Sequence, residues 1–273
     1  EVVRAIGTLE QQIEAVTIIP GATEHGYAPA QVTEVTGTGA SRVINRNVSY
    51  ATTDWQASLD ELQALCPNLK RVSLVVTWFG TDLRADHCRV VPGVEVAARQ
   101  SESVAWSVSG IARSSAHVVS EVNGGPAFGG TPNDAAVLAA IADLKARGLS
   151  VTLYPLMMMD VPAGNGLADP YGGSGQAAYP WRGRITAMAD RSAATRAAIE
   201  AFCGSATAAD FAIGGGAVSY TGTGEGYRRM ILHYAHLAAL AGGVHSFILG
   251  SEMRGLTRLR DAADAFPFVE ALT

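Results

Sequence analysis

Two periods alternate along the chain. From Asp54, apolar residues recur at helical spacing: Trp55, Leu59, Leu62 and Leu65 share one face, Asp54 can cap the helix, and Pro67 ends it. Residues 72–78 then form a short β-branched run of the kind a buried parallel strand requires. The alternation repeats. Thr131-Pro132-Asn133-Asp134 is a helix start in which threonine or aspartate can cap and proline is tolerated in the first turn. Val137, Leu138, Ile141 and Leu144 follow at helical spacing, Arg147-Gly148 stops them, and residues 150–155 give the next strand. A further helix carries Ala194, Ala197, Ala198, Ile199 and Phe202 up to Gly204, and residues 210–213 make a brief strand candidate. The last carries Tyr227, Met230, Ile231, Tyr234, Leu237 and Ala238 up to Gly242-Gly243, and residues 245–250 form a final strand. Long irregular excursions occupy residues 80–130 and 160–190.

This order, a helix followed by strand–helix repeats and a fourth strand, predicts an α/β fold with parallel strands and right-handed crossovers. A doubly wound open sheet and part of a (β/α)8 barrel both fit. No GxGxxG or GxxxxGK[ST] follows the first strand, so nucleotide-binding open sheets lose support. Gly222-Thr223-Gly224-Glu225-Gly226 precedes a helix but lacks the phosphate-loop lysine, and a flexible connection is the simpler reading. Residues 1–50 differ from the rest: 15–20 read as a β-rich piece bounded by Pro20-Gly21, and 36–39 as a loop. They are expected to be the end of a preceding domain or a linker packed on the barrel, with 51–273 the barrel portion.

Composition narrows the picture. With 273 residues, 48% of them hydrophobic, the chain has apolar material for one large domain. A net charge of −5 without a basic run argues against nucleic-acid contact by this segment. No apolar stretch reaches the roughly 20 residues of a membrane span. Cys66, Cys88 and Cys203 are far apart and fit no CxxC or Cys/His cluster, so burial as small apolar residues is expected, not zinc or a disulfide. No metal and no cofactor are expected. Glu1-Val2-Val3-Arg4 does not resemble a signal peptide, and residues 268–273 run in a helix-like pattern without cap or breaker. Both ends are therefore expected to be cuts in a longer polypeptide.

In a βα barrel the chemistry sits at the carboxyl ends of the strands. That rule selects Trp78, Phe79 and Asp82 after the first strand, Asp160 and the loop Tyr179-Pro180-Trp181-Arg182-Gly183-Arg184 after the second, and Ser251, Glu252 and Arg254 after the fourth. Glu252 is the catalytic candidate. A carboxylic acid among apolar walls keeps its proton to higher pH, which a general acid needs to protonate a glycosidic oxygen. The competing reading is an ion pair with Arg254, Arg258 or another arginine that organises the loop. Tyr179 and Trp181 can stack on sugar faces and Arg182 can bind hydroxyl or carboxylate groups, or they can simply pin a long loop. Trp78, Asp82, Asp160, Ser251 and Arg254 complete the binding candidates. His233 and His236 lie three apart on one helix without a third ligand and read as packed histidines, and Met157-Met158-Met159 reads as adaptable core filling.

Three motifs occur in order: Phe128-Gly129-Gly130-Thr131-Pro132-Asn133-Asp134, Tyr179-Pro180-Trp181-Arg182-Gly183-Arg184-Ile185, and Phe247-Ile248-Leu249-Gly250-Ser251-Glu252-Met253-Arg254-Gly255-Leu256-Thr257. Together they resemble the gene transfer agent TIM-barrel-like domain, from about Asp54 onward. That resemblance implies a (β/α)8 TIM-barrel-like fold with about the first four βα units in this chain, and a place in the baseplate hub of a phage-like particle made in the bacterial cytoplasm. It implies other tail and baseplate proteins, and cell-envelope polysaccharide or peptidoglycan, as partners. The family is similar to clan A glycoside hydrolases, which are retaining two-carboxylate enzymes. Their acid/base glutamate follows strand four, matching Glu252, and their nucleophile follows strand seven, beyond residue 273. Ser251 stands where the clan carries a substrate-binding asparagine, so a barrel that binds glycan or only builds the particle is the alternative. An unrelated open-sheet enzyme is a third reading, decided by strand order. An open row of parallel strands is also expected to make the isolated chain insoluble or oligomeric.

Overall fold

Four strands lie side by side and point the same way: Ala15–Ile18, Arg71–Gly80, Ser150–Met159 and Ser246–Phe247, in that spatial order. The computed structural model describes residues 8–19 and 21–273; Glu1-Val2-Val3-Arg4 and Pro20 lie outside them. Ala15 faces Arg71 across the first pair, Arg71 to Gly80 face Ser150 to Met159 across the second, and Thr152 faces Ser246 across the third. Val90–Val91 adds a short antiparallel strand on Phe79 and Gly80. Spatial order equals chain order, with no reversal. A doubly wound sheet reverses at its switch point, whereas successive βα units of a barrel add strands in sequence. The fold is thus a mixed α/β structure around a parallel sheet, in agreement with a TIM-barrel-like architecture.

Two expectations about the strands are corrected. The stretch read as a linker contributes the edge strand Ala15–Ile18, paired in parallel with Arg71–Gly80. Residues 210–213, read as a member of the parallel set, instead form Phe211–Gly214 of an antiparallel hairpin with Ala217–Tyr220, outside the sheet. Its turn is Gly215-Gly216, with both φ values positive at 58° and 76°, which suits a two-residue hairpin turn. The final strand is also shorter than the run 245–250 suggests. Ser246–Phe247 therefore remains the fourth parallel strand, because one strand enters the set as another leaves it.

The helices pack on one face. Trp55 and Leu59 of Asp54–Leu65, Val137, Ile141 and Leu144 of Asp134–Ala146, and Met230, Tyr234 and Leu237 of Tyr227–Leu240 form one buried cluster with Val72, Leu74, Val76 and Trp78 and with Leu153, Met157 and Met159. The caps fall on neighbours of the expected residues, beside Asp54 in one helix and between Thr131 and Asp134 in the other. Thr53, not Asp54, accepts the amide of Gln56, and Asn133 accepts that of Ala135. Trp55 Nε1 donates to Asp143 at 2.8 Å, tying the first two packed helices together. Along Ser150–Met159 burial alternates strictly: residues on the helix side are buried, while Thr152, Tyr154, Leu156 and Met158 on the opposite side are half-buried. All three cysteines are free and buried, and burial pushes the Cys203 thiol up to about 11 and the Cys88 thiol up to about 12, which leaves both poor nucleophiles. No helix among the described residues is long and apolar enough to cross a membrane.

Candidate functional site

Glu252 follows the fourth strand on an irregular turn. Its φ is +58°, a left-handed conformation that non-glycine residues seldom adopt and that tends to occur where a side chain must be aimed. The carboxylate is held from the 179–184 loop. Trp181 Nε1 donates to Glu252 Oε2 at 2.5 Å and Arg182 Nη2 lies 2.9 Å from the same oxygen. The expectation of a Glu252 ion pair is met by Arg182, a residue 70 positions away, and not by Arg254 or Arg258. The expected apolar enclosure is absent here: the Glu252 side chain is 50% exposed. Next to it, the hydroxyls of Ser251 and Tyr154 are hydrogen-bonded, joining the turn to the half-buried face of the third strand.

The 179–184 loop reaches a second cluster through Tyr179. Its hydroxyl lies 3.0 Å from Ser120 Oγ, and Ser120 gives both its hydroxyl and its amide to Asp160, at 2.5 and 3.0 Å. His117 Nε2 lies 2.6 Å from Asp160 Oδ2, the oxygen that also accepts the Ser120 amide. Burial pushes the Asp160 carboxyl up, but the bonds from His117 and Ser120 outweigh it and hold the group below the ordinary aspartate range. The ring of Phe128 bridges Phe79 and Tyr179, with centroids 5.7 and 5.5 Å away, and closes the cluster. His117 and Ser120 were missed in the sequence because they sit in the 80–130 excursion, where no periodicity marks a residue as facing the strand ends.

Asp82 is committed elsewhere. Arg84 clasps it with Nη2 at 2.6 Å and Nε at 3.0 Å, and Gln176 adds a bond at 2.7 Å. Burial raises its carboxyl, yet Arg84 and Gln176 together keep it below the usual range. Asp82 braces the loop 160–190 and is not an open binding group. Trp78 requires a plainer correction. It is fully buried on the helix-facing side, against His233 and Tyr234 at 6.1 and 6.4 Å, because side chains alternate along a strand and only Phe79 turns to the other face. His233 pairs with Asp134 at 2.8 Å and His236 stacks on Phe211, so both are packed as expected.

Arg254 is exposed and lines a cleft of about 180 Å³ with Tyr171, Trp181, Arg184 and Arg258. After the first strand comes a group that sequence reading missed altogether. Glu24, His25 and Glu102 bring ligand atoms within 4.8 Å of one another. Arg113 already occupies that space, donating to both oxygens of Glu24 at 2.9 and 2.7 Å and to Glu102 at 2.7 Å, and Arg99 adds to Glu24 at 3.2 Å. The guanidinium neutralises the carboxylates that a cation would need, so the group is an ion-pair network. Assigning the β-rich piece at residues 15–20 to the parallel set would have put Glu24 and His25 on the strand-end list.

Parallel strands added in chain order, with an acidic residue emerging after the fourth, make a mixed α/β domain consistent with a TIM-barrel-like fold. Residues 225–273 match the family model of the GTA TIM-barrel-like domain, a match that takes in the Tyr227–Leu240 helix, the fourth strand and Glu252. Among curated proteins none matches the chain.

Proposed function

We propose that the chain forms about the first four units of a glycoside-hydrolase-like (β/α)8 barrel in the baseplate of a phage-like particle, where it acts on or binds cell-envelope glycan during attachment. The observation that carries this reading is Glu252, at the end of the fourth parallel strand and within the family match, with Trp181 and Arg182 on its carboxylate. A glycosidic oxygen brought over Trp181 would lie beside the Glu252 carboxyl, which could serve as proton donor only once substrate had displaced Arg182 from it. Retaining hydrolysis needs a second carboxylate roughly 5 Å from the first. Asp82 and Asp160 are bound up with Arg84 and with His117 and Ser120, so neither supplies it. A hub role brings other tail and baseplate proteins as partners.

The second reading, binding without turnover, is favoured by the exposure of Glu252 and by Ser251, whose hydroxyl is already engaged by Tyr154. One experiment separates the two. The intact protein carrying this chain, its Glu252→Gln form and its Trp181→Ala form are incubated with peptidoglycan, and new reducing ends and pelleted protein are measured. Hydrolysis by the wild type that falls at least about 100-fold in Glu252→Gln, with pelleting retained, supports the enzyme, since general acid catalysis contributes on the order of 10²–10⁴. Pelleting without reducing ends, lost in Trp181→Ala, supports the binding barrel. Absence of both activities in the wild type refutes the glycan reading.

A further inference from the structure

Arginines in this fold are commonly matched to carboxylates: Arg84 to Asp82, Arg113 to Glu24 and Glu102, Arg147 to Asp60 and Asp143, and Arg196 to Asp261 and Glu270. Arg46, Arg71, Arg228 and Arg229 lack such a partner among the described residues, and the cleft beside Glu252 gathers three more arginines of that kind in one place. Arg184, Arg254 and Arg258 all line it, and none has an ion-pair partner among the described residues. Three cations gathered without a counter-ion repel one another, and in a chain of net charge −5 they are not the overflow of a generally basic surface.

The cleft is held in shape from below. The backbones at Gly183 and Gly255 touch: a Cβ on Gly255 would fall 2.0 Å from the Ile185 carbonyl oxygen and 2.9 Å from that of Gly183. A Cβ on Gly183 would strike the Trp181 ring at 2.4 Å. Two glycines thus seat the Arg182–Arg184 turn directly on the short helix Arg254–Thr257 and bring the arginines from both segments together. Tyr171 fixes Arg184 twice, with its ring centroid 4.6 Å from the guanidinium carbon and its hydroxyl donating to the Arg184 carbonyl at 2.8 Å. A guanidinium stacked in this way keeps its in-plane N–H groups free for a planar oxyanion. The remaining wall is Trp181, whose indole N–H is on Glu252.

We propose that this cleft is an oxyanion subsite, which takes a carboxylate or phosphate carried by a sugar whose ring stacks on Trp181 beside Glu252. The proposal rests on the glycan reading above and narrows it to acidic glycans. Carboxylate and phosphate share the chemistry that arginine recognises, with paired N–H donors facing paired oxygens.

The test measures binding by the intact protein in two arms. Oligogalacturonate is compared with the same oligosaccharide after its carboxyls have been reduced to alcohols, and glucose 6-phosphate is compared with glucose. The expected result is at least about tenfold tighter binding of the charged member in one arm, with a preference that shrinks as salt rises. Arg254→Gln and Arg258→Gln, both at exposed positions, should each reduce that preference without altering the circular dichroism spectrum. The arm that responds identifies the oxyanion. Equal affinity for charged and neutral members in both arms, or a preference that survives both substitutions, overturns the proposal. The glycan reading fails separately: if peptidoglycan is not bound while inorganic phosphate is held in an Arg254-dependent manner, the subsite stands and its sugar context falls.

Discussion

Asp160 holds a charge where water barely reaches, and does so because His117 and Ser120 supply the hydrogen bonds that water would otherwise give. Its folded carboxyl titrates below the ordinary aspartate value of about 3.9. The unfolded chain therefore binds the proton more readily, so the stabilisation is complete above that ordinary value and is lost as pH falls through the folded one. Asp160→Asn should cost about 2 kcal/mol at neutral pH, the usual cost of breaking a buried charge-assisted bond, and should flatten the acid limb of the stability curve. Urea unfolding of both forms at neutral and acid pH checks this; equal acid sensitivity would mean that the Asp160 network contributes nothing. Part of the slope should persist, because Asp82 is also held below its usual range, by Arg84 and Gln176. At this scale the sequence was informative about position and silent about partners. A strand followed by an acid is a local pattern, so Glu252 and Asp160 could be placed after strands. Arg182, Trp181, His117 and Ser120 reach them across long stretches of chain, and no local pattern records such a meeting.

Between elements, the decisive contacts are the closest ones. The long helices and the two long strands were legible because apolar spacing and stop residues agreed, even where the cap fell on a neighbouring residue. The short strands were not: Ala15–Ile18 and Phe211–Gly214 are each four residues of similar character, yet one joins the parallel sheet and the other a hairpin. The distinguishing signal lay just beyond the second, in Gly215-Gly216, which turns the chain straight back. The contact of the Arg182–Arg184 turn with the Arg254–Thr257 helix was equally unreadable, since it depends on the absence of side chains at Gly183 and Gly255. Gly255→Ala would put a methyl 2.0 Å from the Ile185 carbonyl oxygen, so the backbone has to part. The expected outcome is hydrogen exchange at residues 181–186 faster by roughly tenfold or more, with the amides of the Ser150–Met159 strand unchanged. Unchanged exchange in the loop would show that it is anchored by Glu252 and Tyr171 instead.

Seen whole, the sheet is covered unequally. Helices bury one face; on the other, Val75, Thr77 and Phe79 of Arg71–Gly80 are buried while Tyr154, Leu156 and Met158 of Ser150–Met159 remain half-buried, and the outer strands Ala15–Ile18 and Ser246–Phe247 each have a parallel partner on one side only among the described residues. In a closed barrel those edges would be paired and that face would be interior. Left open, they present strand edges and apolar surface to other molecules. Residues 1–273 expressed alone should therefore sediment as species larger than 28.4 kDa, or precipitate. A stable monomer with a cooperative melt would contradict the open-barrel reading. The two causes of association make different demands. If the uncovered face drives it, Leu156→Glu places a charge in the middle of that face and should return the chain toward monomer, because burying an unpaired carboxylate there costs several kcal/mol. If strand edges drive it, the same substitution leaves association intact, since the backbone groups of Ala15–Ile18 and Ser246–Phe247 are untouched by a change in one side chain on Ser150–Met159. Sedimentation of the wild type and the Leu156→Glu variant thus tells which of the two surfaces drives association.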